Sequence, residues 1–202
     1  MATVLMFAPL LAAHLFTMGQ AREVRGHGLV VRAVAREHRG ATDATIEIRR
    51  GHEAPQIIEL RGREIGPALL LASIEIFDAN FDGVADVPVL REHGAKWASV
   101  DAFLFDARTH RFADSSPLAR AIGGLANARF DARHRSITTR DLGPSNPSRV
   151  TYAVEGAALH EISSCRFLNP FDARVGTLVR KNAGRVTVTK LRLAETDVSP
   201  CH

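Results

Sequence analysis

Lysine is scarce in this chain. Only Lys96, Lys181 and Lys190 stand among 26 basic residues, and the arginines that supply the rest are scattered along the sequence. With 22 acidic residues the net charge is +4, but no concentrated basic stripe of the kind that tracks a phosphate backbone is present, so nucleic acid is not an expected partner. Cysteine is nearly missing too: Cys165 and Cys201 are the only two, with no CxxC or Cys/His spacing that would suggest zinc or thiol redox chemistry. There is one tryptophan, Trp97. No GxSxG elbow, HExxH pair or phosphate-cradling glycine loop occurs. Asp101 and Asp106 fall on opposite faces if their segment is a strand, which argues against a paired-carboxylate glycosidase site. His160 and Glu161 are adjacent in a strand-like run and would diverge likewise. The expectation is a protein that is not an enzyme.

The first 21 residues carry no Asp, Glu, Lys or Arg. Val4 to Phe16 is apolar apart from Pro9 and His14, and Gly19-Gln20-Ala21 places small residues at −3 and −1 of a cleavage point. This reads as a signal peptide over 1–21, although no cation precedes the apolar run. The alternative is a membrane anchor, for which the run falls short of the roughly 20 apolar residues a span needs. Residues 22–202 then form a single exported domain, periplasmic or secreted, with no stable membrane insertion after cleavage. In an oxidising compartment Cys165 and Cys201 are expected to pair, the alternative being two free thiols.

Past the leader the chain reads as short strands broken by turn chemistry. Leu29–Val34, Ala44–Arg49, Pro55–Leu60, Ser136–Thr139, Arg149–Val154, Leu159–Ser164, Gly176–Arg180 and Arg185–Leu193 are strand-like, and the apolar run Leu69–Phe77 is taken with them. Val100–Phe105 is apolar on both faces and is expected to be central. Glu155-Gly156 and Asn182-Ala183-Gly184 read as hairpin turns. Val186, Val188, Leu191 and Leu193 are candidate core residues of the last strand. Only Pro117–Leu125 has a helical cast. The tripeptide Phe-Asp-Ala recurs at Phe77, Phe105, Phe130 and Phe171, as if an aromatic closes a strand and Asp opens a turn each time. The fold expected is all-β, a single domain of antiparallel strands arranged as a sandwich or a small propeller-like array. Trp97 is read as a core anchor, with an exposed contact residue as the alternative.

One loop carries specific chemistry. In Asp78-Ala79-Asn80-Phe81-Asp82-Gly83-Val84-Ala85-Asp86, oxygen-bearing side chains stand at positions 1, 3, 5 and 9, with Gly at position 6. Ca²⁺ takes six to eight oxygens at about 2.3–2.6 Å, and alternate residues of a tight loop can supply them. The ligand set expected is Asp78, Asn80, Asp82, the Val84 carbonyl and Asp86. An EF-hand would need Glu at position 12, where Val89 stands, and Pro88 disfavours a following helix. The loop is therefore EF-hand-like but set in a β domain. The competing reading is a solvated Asp/Asn/Gly turn.

The Asp78–Asp86 loop with Phe77, the Val100-Asp101-Ala102-Phe103-Leu104-Phe105-Asp106 strand, the Phe112–Leu118 segment, Phe130-Asp131 with Ile137-Thr138, and Tyr152 before Glu155-Gly156 follow one another in a telling order. This block, Phe77 to about Leu159, resembles the small periplasmic immunity proteins paired with lysozyme-like secreted effectors, whose fold is related to the periplasmic inhibitors of invertebrate-type lysozyme. The resemblance implies a calcium-binding β domain that blocks the cleft of a peptidoglycan muramidase, its protein partner, by presenting an exposed loop; the segments Ser145–Ser148 and Gly51–Pro55 are the candidates. A calcium-stabilised module for cell-surface binding or adhesion is the alternative function.

Overall fold

A computed structural model describes residues 19–95, 97–141, 148–168 and 175–192. Most of the expected leader, Leu193, Cys201, Phe171 and the loop residues Ser145 to Pro147 lie outside these. The chain divides into two compact units, residues 1–72 and 73–202, with no linker-like composition at the boundary. Its strands form three antiparallel sheets.

In the first unit, β1 (Gln20–Gly26), β2 (Leu29–His38), β3 (Ala41–Arg50) and β4 (Gln56–Arg63) pair in sequence order. Alternation decides the faces: Leu29, Val31, Ala33 and Ala35 of β2 and Ala44, Ile46 and Ile48 of β3 are buried. Val31 stands opposite Ile48 and Ala33 opposite Ile46. The His27-Gly28 and Arg39-Gly40 loops have both residues at positive φ, the backbone that two-residue hairpins use to match strand twist. Cleavage after Ala21 would take the first two residues of β1. The remainder stays tied by Arg22, whose Nη1 donates to the Leu71 carbonyl at 2.7 Å.

The run from Leu69 to Phe77 is not a strand. Its first half belongs to a helix, α1 (Pro67–Ala72), which buries Leu70 and Leu71 against the sheet. Pro67 opens the helix where its missing N–H costs nothing, and the Leu70 N–H reaches the Gly66 carbonyl at 3.0 Å. At six residues the helix is too short to show a 3.6-residue period.

In the second unit, β5 (Val87–His93), β6 (Ala98–Asp106) and β7 (Arg111–Ala113) make a three-stranded sheet with β6 in the middle. Asp101 to Phe105 are all buried, as the two-sided apolar pattern of Val100–Phe105 predicts. α2 (Pro117–Gly123) follows, capped by Ser116, whose Oγ accepts the Ala119 N–H at 3.1 Å. β8 (Arg129–Asp131), β9 (Ser136–Asp141), β10 (Ser148–Glu155), β11 (Ala158–Leu168), β12 (Val175–Asn182) and β13 (Arg185–Arg192) form a six-stranded meander. Ala102, Leu104, Leu118, Ile122, Ile137 and Val154 share one core with Ala79 and Phe81 of the loop. That core joins β6, α2 and the β9–β11 end of the large sheet.

Two core assignments need correction. Val186 and Val188 on β13 are 58% and 63% exposed. The strand lies at the sheet's edge, beyond the part that the core covers, so its alternation reports pleat and not burial. Leu191 and Leu193 fall where side chains are not described. Trp97 is 43% exposed because it sits at the tip of the β5–β6 hairpin, where its carbonyl accepts the Gly94 N–H at 2.7 Å.

Candidate functional site

The Asp78–Asp86 loop connects the Phe77 position to β5, and its ends are pinned together. Phe77 and Asp86 form an isolated antiparallel bridge, with the Asp86 N–H to the Phe77 carbonyl at 2.9 Å and the Phe77 N–H to the Asp86 carbonyl at 3.3 Å. Between them the residues alternate. Ala79 and Phe81 enter the hydrophobic core. Asp78, Asn80 and Asp82 point the other way, into the loop's own backbone.

Their oxygens converge on a short run of N–H groups. Asp78 Oδ1 and Asn80 Oδ1 both accept the Asp82 N–H at 3.0 Å. Asp78 Oδ2 accepts the Gly83 N–H at 2.7 Å, and Asp82 Oδ1 accepts the Val84 N–H at 2.8 Å. Asn80 Nδ2 donates to Asp82 Oδ2 at 2.9 Å. These side-chain turns hold three oxygen-bearing residues on one concave side. Gly83 (φ 91°) lies in the left-handed region that only glycine adopts freely, and Phe81 is held there as well (φ 61°).

Asp86 differs from the other three. It is fully buried, at 0% exposure. Its Oδ2 accepts the Ala79 N–H at 2.9 Å, and its Oδ1 accepts the Phe105 N–H on β6 at 2.8 Å. Asp86 thus ties the loop to the central strand. Burial pushes its carboxyl up to about 7, against the pull of the two N–H bonds, and the charges of Asp82 and Asp78 add to the rise. Among the described residues no Lys, Arg or His forms an ion pair with Asp78, Asp82 or Asp86. A buried carboxylate next to two others, with no cation of the protein's own beside it, is costly.

The donor set is all oxygen, which suits a hard cation. The carboxylates are not drawn into a closed cluster: among the described residues no group of three His, Cys, Asp or Glu side chains is assembled to hold a metal. Asp78, Asn80 and Asp82 already accept backbone N–H groups and fit a loop ligand set through their remaining lone pairs. Asp86 fits through the second lone pair of each oxygen, the first being taken by backbone.

Asp106 and Asp131, the other corner aspartates among the described residues, make turns. Asp106 accepts the Arg108 N–H at 2.8 Å, and Asp131 accepts the His134 N–H at 3.1 Å. Asp101 lies beside Arg91 (4.0 Å), whose Nη2 donates to the Gly123 carbonyl at 2.8 Å. Arg91 is the extra residue of a bulge in β5 opposite β6, and it fastens that strand to the end of α2. Of the two candidate presenting loops, Gly51–Pro55 is an exposed turn between β3 and β4, and most of Ser145–Ser148 is outside the described residues. Sequence reasoning missed Asp86 as the residue that anchors the loop to β6; its only signal was an aspartate followed at once by the apolar run of β5.

The fold belongs to a known class. A solved structure of a Xanthomonas protein described as type IV secretion system related matches 84% of this chain and 92% of its own, with a TM-score of 0.55 and 18% identity. The likeness is one of fold. No family model and no curated protein matches the chain. Among the described residues no helix is long and apolar enough to cross a membrane.

Proposed function

We propose that this chain is an exported immunity protein that binds and blocks a lysozyme-like peptidoglycan muramidase, with no turnover of its own, and that the Asp78–Asp86 loop holds a structural Ca²⁺. The reading is carried by the fold likeness to a secretion-system-related protein over most of both chains. The loop supports the metal half: three oxygen-bearing side chains gathered on one side, Gly83 at the turn, and a buried Asp86 lacking a counter-charge among the described residues. Ca²⁺ would be held by Asp78, Asn80, Asp82, the Val84 carbonyl and Asp86. Its charge would offset the carboxylates and brace the loop against β6.

Trp97 supports the binding half. A tryptophan left exposed at a hairpin tip, with its ring over Gly94, is the kind of rigid aromatic that anchors protein interfaces. The muramidase would be met as a protein surface, with no nucleic acid and no membrane involved.

The test is the loss of turbidity of a peptidoglycan suspension under a panel of lysozymes, including any encoded beside this gene, with and without the purified protein and Ca²⁺. Stoichiometric suppression of one enzyme is expected. Suppression of none would overturn the inhibitor reading and favour a calcium-stabilised surface-binding module.

A further inference from the structure

The free edge of the large sheet has features that the proposed function does not use. β13 ends the strand order, so the backbone groups on its outer side have no strand partner among the described residues. Its centre, Val186-Thr187-Val188-Thr189, carries no charge, and every residue from Arg185 to Lys190 is exposed. Val188 stands opposite Val179 and Val186 opposite Lys181 on β12, while Val179 stands opposite Arg166 and Lys181 opposite Ser164 on β11.

Ile162 joins this face through a bulge. Tyr152 pairs with Glu161 and Thr151 with Ser163, so Ile162 is an extra residue on β11. The bulge brings Glu161 to the same side as Lys181 and Arg166, with which it forms ion pairs of 3.5 and 3.6 Å. Ile162 is 43% exposed. Among the described residues, one side of the sheet's end thus exposes Val186, Val188 and Ile162 next to an unpaired edge.

The charge on β12 and β13 themselves has one sign. From Val175 to Arg192 the sequence has five cationic residues and no Asp or Glu. Arg185 and Lys190 bracket the uncharged centre of β13. Cations within an edge strand commonly block pairing; here they flank a gap of four residues that is left open. A second copy of this chain pairing antiparallel at the same edge would bring the flanking cations of both strands close together, and like charges across paired strands repel.

We propose that β13 is a docking edge for an extended acidic segment of a partner protein. That segment adds as a seventh strand, lays alternate apolar side chains beside Val186 and Val188, and turns its carboxylates to the other face, that of Arg185. Main-chain bonds give such strand addition its affinity and the side chains its register; the charge pairs raise the encounter rate and suppress wrong partners. The proposal is independent of the muramidase reading and of the calcium loop.

The probe is a fluorescein-labelled decapeptide of alternating Glu and Val, followed by anisotropy against the full-length protein at low salt. Two comparisons accompany it: the same peptide N-methylated at alternate residues, which removes outward N–H donors but keeps the charge, and vesicles of phosphatidylglycerol. Binding of the plain peptide is expected, weaker by about tenfold or more for the N-methylated form and for the double variant Val186→Ser, Val188→Ser, which removes the apolar contacts without changing the charge. Both positions are exposed, so the variant should fold, and circular dichroism checks that it does. Equal binding of both peptides, binding unaffected by the double variant, or binding to the vesicles and not to the peptide would each overturn the proposal and leave a general anionic-surface patch.

Discussion

Asp86→Ala separates what the protein does for its own loop from what a cation does. In the absence of metal, Asp86 accepts two N–H groups, from Ala79 and Phe105, at a site with no exposure to water. Removing the carboxylate leaves both donors buried and unpaired. Each costs about 1–3 kcal/mol, so at pH 5, where Asp86 holds its proton and its removal relieves no buried charge, the variant should lose about 2–6 kcal/mol, against a total stability of roughly 5–15 kcal/mol for a domain. At about 2–4 °C per kcal/mol for a chain of this size, the melting point should fall by about 5–20 °C. Asp86→Asn is not conservative here: one oxygen remains, but the new amide turns a donor toward a donor, so at least one N–H is orphaned. Asp82→Ala is the control. Asp82 is exposed, and its loss should cost less than about 1 kcal/mol in chelator, yet it should abolish the stabilisation by Ca²⁺. That stabilisation would reach about 2.7 kcal/mol in the parent at a hundred times Kd. The assay is calorimetric melting of parent and variants in EGTA and in millimolar Ca²⁺. Asp86→Ala melting within a degree of the parent in EGTA at that pH would refute the anchoring argument, and an undiminished calcium response in Asp82→Ala would sink the metal assignment.

The same carboxyl sets a pH dependence of unusual sign. Its folded pKa is raised from 3.8 to about 7, so the folded state binds the extra proton, and metal-free stability should fall by on the order of 4 kcal/mol as pH rises from about 4 to above 7. Melting in EGTA should therefore be higher at pH 5 than at pH 7.5 and lose that slope in Asp86→Asn, whereas Ca²⁺ should reverse it; a flat profile in EGTA would contradict the burial argument. Gly94→Ala would run a Cβ into the Trp97 indole, and because Trp97 is the sole tryptophan the displacement should appear as a shifted emission maximum with the fold intact. Ile46→Ala, at a fully buried site, should cost about 2–5 kcal/mol by denaturant unfolding. If Cys165 and Cys201 pair, the protein purified without reductant should show no reactive thiol, and reduction should cost about 2–4 kcal/mol; two titratable thiols would contradict the pairing.

Much of the fold was legible because its signals are local. The central strand β6 declared itself by being apolar on both sides, α2 by the helical cast of Pro117–Leu125, and the β12–β13 hairpin by Asn182-Ala183-Gly184. What escaped depends on what lies across from a segment. α1 has too few residues for a helical period. Val186 and Val188 alternate as a half-buried strand would, but nothing in that alternation says whether the face is covered. Trp97 is large enough to favour burial, yet the hairpin geometry lifts it out. At the candidate site the oxygen-bearing residues and Gly83 could be read from spacing alone. The long-range bond from Phe105 to Asp86 could not, since the two residues are joined only once β6 lies against the loop.

Loops are ordinarily where a protein absorbs insertions and deletions without harm. The stretch from Asp78 to Asp86 has no such freedom, whether or not an ion is bound. Its residues step alternately into the core and away from it. One residue added after Asn80 would itself take the place of Phe81 in the core, push Phe81 into water and move Asp82 out of step with Asp78 and Asn80. The length of this loop is therefore under the same discipline as a strand's register, and drift along this family of folds should change the chemistry at Asp78, Asn80 or Asp82 more readily than it changes the count of residues between Phe77 and Val87.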